Sequence, residues 1–406
     1  MAYDKVIDSA ALDAQMTELA DAIRAKAGTN SDLEWVSGFK SAVESIPTGG
    51  GGAPVHVEEK DVNFWDYDGT LLHSYTLAEA QALTELPPLP TRDGLICQGW
   101  NWTLEQIKSF GLQVDVGAVY ITDDGKTRIK IDISTMLISN VTLNFGDAIV
   151  NIDWGDGSAI ETSLSTESAQ QYTHQYAATG VYTISLEVVR GTLRLGGNDA
   201  TRPLIGGSAN DSTRCATEVY CGSNIAAKVG WLSLQYSRKL RILTIPEGVT
   251  ELDAGIINNC NNFRILVMPK TTIKTATIAS SRAVRVVSVP WGVTGMGSIN
   301  GAEAMTRLTL PPNLTELGTY VGYGATLVTI HLPASLTKIG SNSFYGQKQI
   351  AEIYAHATTP PTLGGASVFS NAADYLKIYV PTGTLEAYQT ATNWTAYAGR
   401  MEEWNP

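Results

Sequence analysis

From Leu243 onward one short pattern keeps returning: an apolar residue, any residue, a second apolar residue, then proline. It occurs at Leu243–Pro246, Leu266–Pro269, Val287–Pro290, Leu308–Pro311 and Ile330–Pro333, with successive prolines 23, 21, 21 and 22 residues apart. Most units carry a second apolar step further on, at Val249 and Leu252, Val293 and Met296, Leu314 and Leu317, and Leu336 and Ile339. Ile353-Tyr354-Ala355 continues the series without its proline, and Trp231–Leu234 reads as a degenerate earlier turn. A regular period of roughly 20–29 residues marks a solenoid: one unit cannot bury its own apolar face, so stacked units share a continuous core. Ile378–Pro381, Leu385-Glu386-Ala387-Tyr388 and Asn393-Trp394 then read as a terminal strand and helix sealing the open end.

The repeats occupy under half of the 406 residues, so other domains are expected upstream. Residues 9–27 read as a helix with Leu12, Met16, Leu19 and Ile23 in a 4-3-4 seam. Gly28 stops it, and Ser31-Asp32-Leu33-Glu34 fits a capping box opening a second helix through Val36, Phe39, Val43 and Ile46. Residues 1–47 thus form an assembly hairpin, set apart by a Gly-rich linker at 48–54. Residues 55–113 are an aromatic-rich α+β segment with Phe64, Trp65, Tyr67, Trp100 and Trp102. Within it, Asp66-Tyr67-Asp68-Gly69-Thr70-Leu71 matches the nucleophile motif of haloacid-dehalogenase-like phosphatases. No alternating strand–helix pattern comes after it to carry the partner motifs, so an Asp-Gly turn between two strands explains the string, and no catalysis is expected. Thr76 and Thr103 open short helices with capping-box spacing.

Alternation dominates from Val119. Val119–Thr122 and Thr127–Ile131 flank Asp123-Asp124-Gly125-Lys126 as an expected hairpin, and Val141–Phe145, Ile149–Trp154 and Val181–Val188 are further strands. Asp153 and Asp156 could bind calcium weakly but fall short of a six-ligand oxygen site, so they are expected to bond the turn backbone, and His174 to be packed and hydrogen-bonded. A net charge of −12 disfavours a nucleic-acid partner. The four cysteines form no C-x2-C pair. No run approaches about 18 apolar residues, and the acidic start is unlike a secretory signal. Neither membrane insertion nor a cofactor or metal is expected.

These strings carry three resemblances. Asp153-Trp154-Gly155-Asp156-Gly157, with His174-Gln175-Tyr176 and Gly180-Val181-Tyr182, resembles a polycystic-kidney-disease (PKD) domain. That implies an immunoglobulin-like β-sandwich over 114–195. The repeats, most closely Ile330–Ile353, resemble BspA-like leucine-rich repeats, implying a solenoid over 196–377 and a cap over 378–406. The order of all segments, with Ile23-Arg24-Ala25-Lys26, the Asp66–Thr70 string and Asp123–Arg128, resembles tail-tip or receptor-binding proteins of phages and prophages of gut Firmicutes. The expected fold is therefore mainly β and multidomain. The last resemblance implies a non-enzymatic virion component, made in the host cytoplasm and favoured as a homotrimer. Its N-terminus would attach to other tail or baseplate proteins, and its repeats would meet a host cell-surface protein or glycan. The alternative is a bacterial surface adhesin. Aromatics between strands in drifted units, namely Trp291, Tyr320, Tyr323 and Tyr345, are the candidate ligand contacts.

Overall fold

The structure, a computed structural model, describes residues 57–405 apart from 136–138, 197–202, 207–214, 230–233, 235, 253–255 and 276–277. The expected helical hairpin, with Leu12, Met16, Leu19 and Ile23, and the Gly-rich linker lie outside the described residues. The elements described all belong to one unit, which runs from Glu59 onward.

Strand β1 (Val62–Trp65) turns through Asp66–Thr70 into β2 (Leu71–Tyr75), then helix α1 (Leu77–Ala82), β3 (Leu95–Trp100), α2 (Leu104–Phe110) and β4 (Val114–Thr122). Both helices open with complete capping boxes, Thr76 with Glu79 and Thr103 with Gln106, as their spacing predicts. The strands form one sheet in the order β2-β1-β4-β3, with β1 and β4 parallel. Strand alternation gives this sheet two buried faces. Val62, Phe64, Val114, Val116, Ala118 and Tyr120 share one core with Trp100, Trp102 and Ile107. Trp65 and Val119 point the other way, into a second cluster with Ile265, Val267 and Val286 of the repeats.

Next come β5 (Thr127–Ile133), β6 (Asn140–Asp153), β7 (Glu161–Thr162), β8 (Gln170–Gln175), β9 (Gly180–Leu195) and β10 (Ala216–Tyr220). The Asp123–Lys126 turn exists, with the Gly125 amide donating to the Thr122 carbonyl at 3.3 Å. It is not a hairpin, however. Strand β4 has β1 and β3 on its two edges, and β5 has β9 and β10, so neither has an edge free for the other. Strand β4, which the sequence reading groups with the sandwich, thus lies in the sheet of the aromatic segment. The second sheet runs along one hydrogen-bonded path. Strand β9 pairs with β5 over its first half and β6 over its second, while the start of β6 also pairs with β8.

The repeats supply short parallel strands in three ladders. The apolar-x-apolar strands β11 (Ile242–Thr244), β12 (Ile265–Val267), β13 (Val286–Ser288), β14 (Thr329–Leu332), β15 (Glu352–Ala355) and β16 (Lys377–Pro381) follow one another along the first, which is hydrogen-bonded in separate stretches, β12 to β13 and β14 to β15 to β16. The second apolar step makes another, including Glu316–Leu317 and Lys338–Ile339, and Ile257–Asn258, Ile278–Ala279 and Ile299–Asn300 the third. Stacking is kept in register by backbone bonds one period apart: the amides of Thr294, Thr315, Thr337 and Thr362 each donate to the preceding unit at 2.8–2.9 Å. The array closes with helix α3 (Leu385–Thr390), a 3-10 turn and β17 (Met401–Trp404), and its Tyr388 and Trp394 are fully buried. The protein is mainly β with few helices, ending in a β-solenoid.

Two seams join these parts. Strand β10 pairs with β5 on one edge and, in parallel, with repeat strand β11 on the other, so one hydrophobic core runs from Ile129 to Met401. The other seam lays the β1–β4 sheet on the outer face of β11, β12 and β13. There the Gly117 backbone approaches so closely that a Cβ atom would sit 2.4 Å from Val267. Asn101, fully buried, donates to the Met268 carbonyl and the Ser288 hydroxyl, both at 2.9 Å, and accepts from the Gly117 amide at 2.8 Å. Trp102 Nε1 donates to the Val289 carbonyl at 2.9 Å. Asn101→Ala strands several buried partners and should lower unfolding free energy by about 2–3 kcal/mol. Urea denaturation monitored by tryptophan fluorescence measures it, and a change within about 0.5 kcal/mol would show that the seam does not rely on this side chain.

Candidate binding surfaces

The middle residue of each apolar-x-apolar motif points away from the solenoid core, because its two neighbours point in. Read along the first ladder, these residues are Thr244, Val267, Ser288, Thr309, His331, Tyr354 and Tyr379. The first four are small and buried, and Val267 and Ser288 lie directly beneath the β1–β4 sheet. The last three are aromatic and lie on the part of the ladder left open. Parallel pairing sets His331 opposite Tyr354, and Tyr354 opposite Tyr379. Their rings stack at 4.8 Å with interplanar angles of 10° and 16°. Trp404 meets Tyr354 edge-on at 4.9 Å. Because each ring covers its neighbour's face, the row offers edges and hydroxyls to solvent rather than flat platforms.

At the end of this row lies a groove of about 390 Å³ between the end of α2 and the repeats, lined by Phe110, Leu112, Trp291, Pro333, His331 and His356. His331 Nδ1 and His356 Nε2 are 3.0 Å apart, so one ring donates and the other accepts. Burial, and then the neighbouring His356, hold His331 down at about 4, and burial lowers His356 too. Burial, then Glu352, pushes the Tyr354 hydroxyl up to about 12.

Of the aromatics singled out in the sequence, three meet. Tyr320 packs edge-on against Tyr323 at 5.6 Å, and Tyr323 stacks on Tyr345 at 5.7 Å. Asn371 donates to the Tyr345 hydroxyl. Tyr323 bridges to Asn300, so this cluster sits on the third ladder, away from the His331–Tyr379 row. Phe344, not Tyr345, fills the core there, stacked on Phe369. Trp291 stands apart from the other three, edge-on to Trp102 at 5.4 Å in the seam under α2. The row itself was not singled out. Its signal was a middle-position change from Thr, Val and Ser to His, Tyr and Tyr.

The acidic turn residues have local partners. Asp66 is fully buried and accepts from Arg92 Nε at 2.7 Å and from the Tyr67 amide at 2.9 Å. Burial raises its pKa, opposed by Tyr120, the Tyr67 amide and Arg92. Asp68 accepts from the Thr70 amide at 2.9 Å, closing the turn expected from the Asp-Gly spacing. Asp153 and Asp156 likewise accept from the Gly155 and Ser158 amides. His174 bonds Asp156 at 2.7 Å and stacks on Trp154 at 4.8 Å, while Tyr176 donates to the Trp154 carbonyl. These are the structural roles expected of them. Among the described residues, no three His, Cys, Asp or Glu side chains group as metal ligands.

Residues 212–299 and 295–391 match the family model of the BspA type leucine rich repeat region, in six copies. The repeat domain is of BspA type. A leucine-rich repeat protein from Bacteroides ovatus ATCC 8483, with a crystal structure at 1.19 Å, is similar to the chain at 16% identity, with a TM-score of 0.25. The match covers 40% of this chain and 55% of that one, so it spans about half of that protein's length. No curated protein sequence matches the chain. The BspA-type units therefore account for both aromatic groups, the row on their first ladder and the tyrosine cluster on their third.

The histidine pair makes stability pH-dependent. Unfolded, His331 takes up a proton near pH 6.5; folded, it resists until about pH 4. The unfolded chain binds more protons between those values, so this contribution is complete above about pH 6.5 and is lost as pH falls toward 4. Urea midpoints of the wild type and His331→Phe, compared at about pH 4.5 and 7.5, should show the smaller acid-side loss in the variant. Equal losses would mean that His331 titrates normally.

Proposed function

We propose that this chain is a non-enzymatic recognition protein that binds a cell surface through its BspA-type repeats. The supporting observation is the change along the first ladder, from small side chains beneath the β1–β4 sheet to a partly exposed aromatic row beside an apolar groove. Aromatics concentrate binding energy at interfaces, and small residues favour close packing against a fixed partner. Each half of the ladder has the residues suited to its setting. The tyrosine cluster at Tyr320, Tyr323 and Tyr345 is the second contact candidate.

The carrier is proposed from the order of segments, which resembles phage tail-tip proteins. In that reading residues 1–47 attach to the tail, a PKD-like sandwich spaces the repeats outward, and the protein is a homotrimer on the virion. The target is then a host surface protein or glycan. A bacterial surface adhesin fits the BspA-type repeats equally well. Antibody labelling in electron microscopy separates the two, because signal on tail tips supports the first reading and signal on cell envelopes the second.

The binding reading is tested with purified protein on host cells. Tyr354→Ala with Tyr379→Ala should reduce attachment at least about tenfold, since each lost aromatic anchor is worth roughly 1–2 kcal/mol. Tyr320→Ala with Tyr323→Ala tests the second cluster in the same assay. Trp291→Ala should act through stability instead, by loosening the seam at Trp102. If attachment survives both double replacements, the repeats are not the contact surface.

A further inference from the structure

A second concave site lies at the opposite end of the first ladder, on the edge where the strands begin. In three successive units the residue just ahead of the strand is arginine: Arg241 before β11, Arg264 before β12 and Arg285 before β13. Arg241 is paired with Glu218. Arg285 is paired with Glu59 and lies 5.5 Å over the Trp65 ring. Arg264, between them, is exposed, and among the described residues its guanidinium has neither an ion-pair partner nor a hydrogen bond.

Arg264 lines a cleft of about 530 Å³ together with Lys239, Arg241, Asn261, Asn262 and Asp68. That volume is in the range of small-ligand sites. Lys239 is held by Asp132 at 2.7 Å and Ser134 at 2.9 Å, which fixes its ammonium in place. Asp68 comes from the β1–β2 turn, where a Cβ on Gly69 would lie 3.9 Å from the Arg264 Cβ, so the Asp-Tyr-Asp-Gly-Thr string builds one wall. Of the three cations lining the cleft, Lys239 and Arg241 are ion-paired with Asp132 and Glu218, which leaves the Arg264 guanidinium to meet a ligand's charge.

We propose that this cleft binds a carboxylate-bearing saccharide. A guanidinium without a partner among the described residues presents a planar fork matched to a carboxylate, while Lys239 and Arg241 stay engaged by Asp132 and Glu218. The Asn261 and Asn262 amides offer both donors and acceptors, as sugar hydroxyls require. Asp68 selects among anions: it accepts from hydroxyls but repels a doubly charged phosphate more than a singly charged carboxylate. The site is separate from the aromatic row, so it stands or falls independently of the attachment results.

The test is calorimetric titration of the full chain with glucuronic acid, with glucose and inorganic sulfate as controls. Glucuronic acid should bind, glucose should not, and sulfate should bind more weakly. Raising salt from about 0.05 to 0.5 M should weaken glucuronic acid at least several-fold, because the contact is exposed and screened. Arg264→Gln should weaken it about tenfold and Arg264→Lys less, since lysine keeps the charge and loses the fork. Because Arg264 is exposed, both variants should melt as the wild type does. Equal binding of glucose, sulfate binding as tight as glucuronic acid, or unchanged binding in Arg264→Gln would each overturn the proposal.

Discussion

A single buried carboxamide decides which part of the repeat domain faces outward. Asn101 satisfies three groups at once, two on the repeat strands and one on β4. A buried amide left unpaired is costly, so its bonds fix the register between the two layers. With that register set, Gly117 must lie over Val267, and no larger residue fits at Gly117. The Ser288 hydroxyl reaches the Asp115 carbonyl at 2.6 Å. Arg307 closes the same edge by donating to the carbonyls of Lys60 at 2.5 Å and Asp61 at 2.6 Å. The small outward residues of the first units are a consequence of this contact, and the aromatic ones begin beyond it.

Features set by neighbours in the chain were legible in the sequence. The capping boxes and the Asp-Gly turns depend on residues a few positions apart, the solenoid on a motif that recurs at a fixed spacing, and each is found at the predicted place. Strand partnership was not legible. Thr122 and Thr127 flank a good turn, yet their strands go to different sheets, because β1, much earlier in the chain, takes an edge of β4 and β9, much later, takes an edge of β5. The outward aromatic row was missed for a related reason. A period search weights the apolar residues that recur, and the middle position carries information only in how it changes from unit to unit.

The Asp66–Leu71 string shows how little a motif decides without its surroundings. The same letters that in a phosphatase present a nucleophile here tie a tight turn, with Asp66 locked on Arg92 inside the sheet and Asp68 folded back on Thr70. What the turn gains is position. Carried by β1 and β2, it overhangs the start of the repeat strands, where the Asp68 carboxylate shares a cleft with Arg241 and Arg264. A short polar segment thus shapes a cleft on a neighbouring domain.

Strand β10 has a mechanical consequence. Because it is hydrogen-bonded to β5 on one side and to β11 on the other, the β5–β9 sheet and the first repeat are one fabric rather than two bodies on a string. A pull on the repeats meets strand pairing at this junction, not a free tether. It must shear the β10–β11 pairing and open the shared core around Val219 and Leu243 together. Parts that yield only together transmit both load and orientation, so the angle of the open repeat face is set by the sheet behind it.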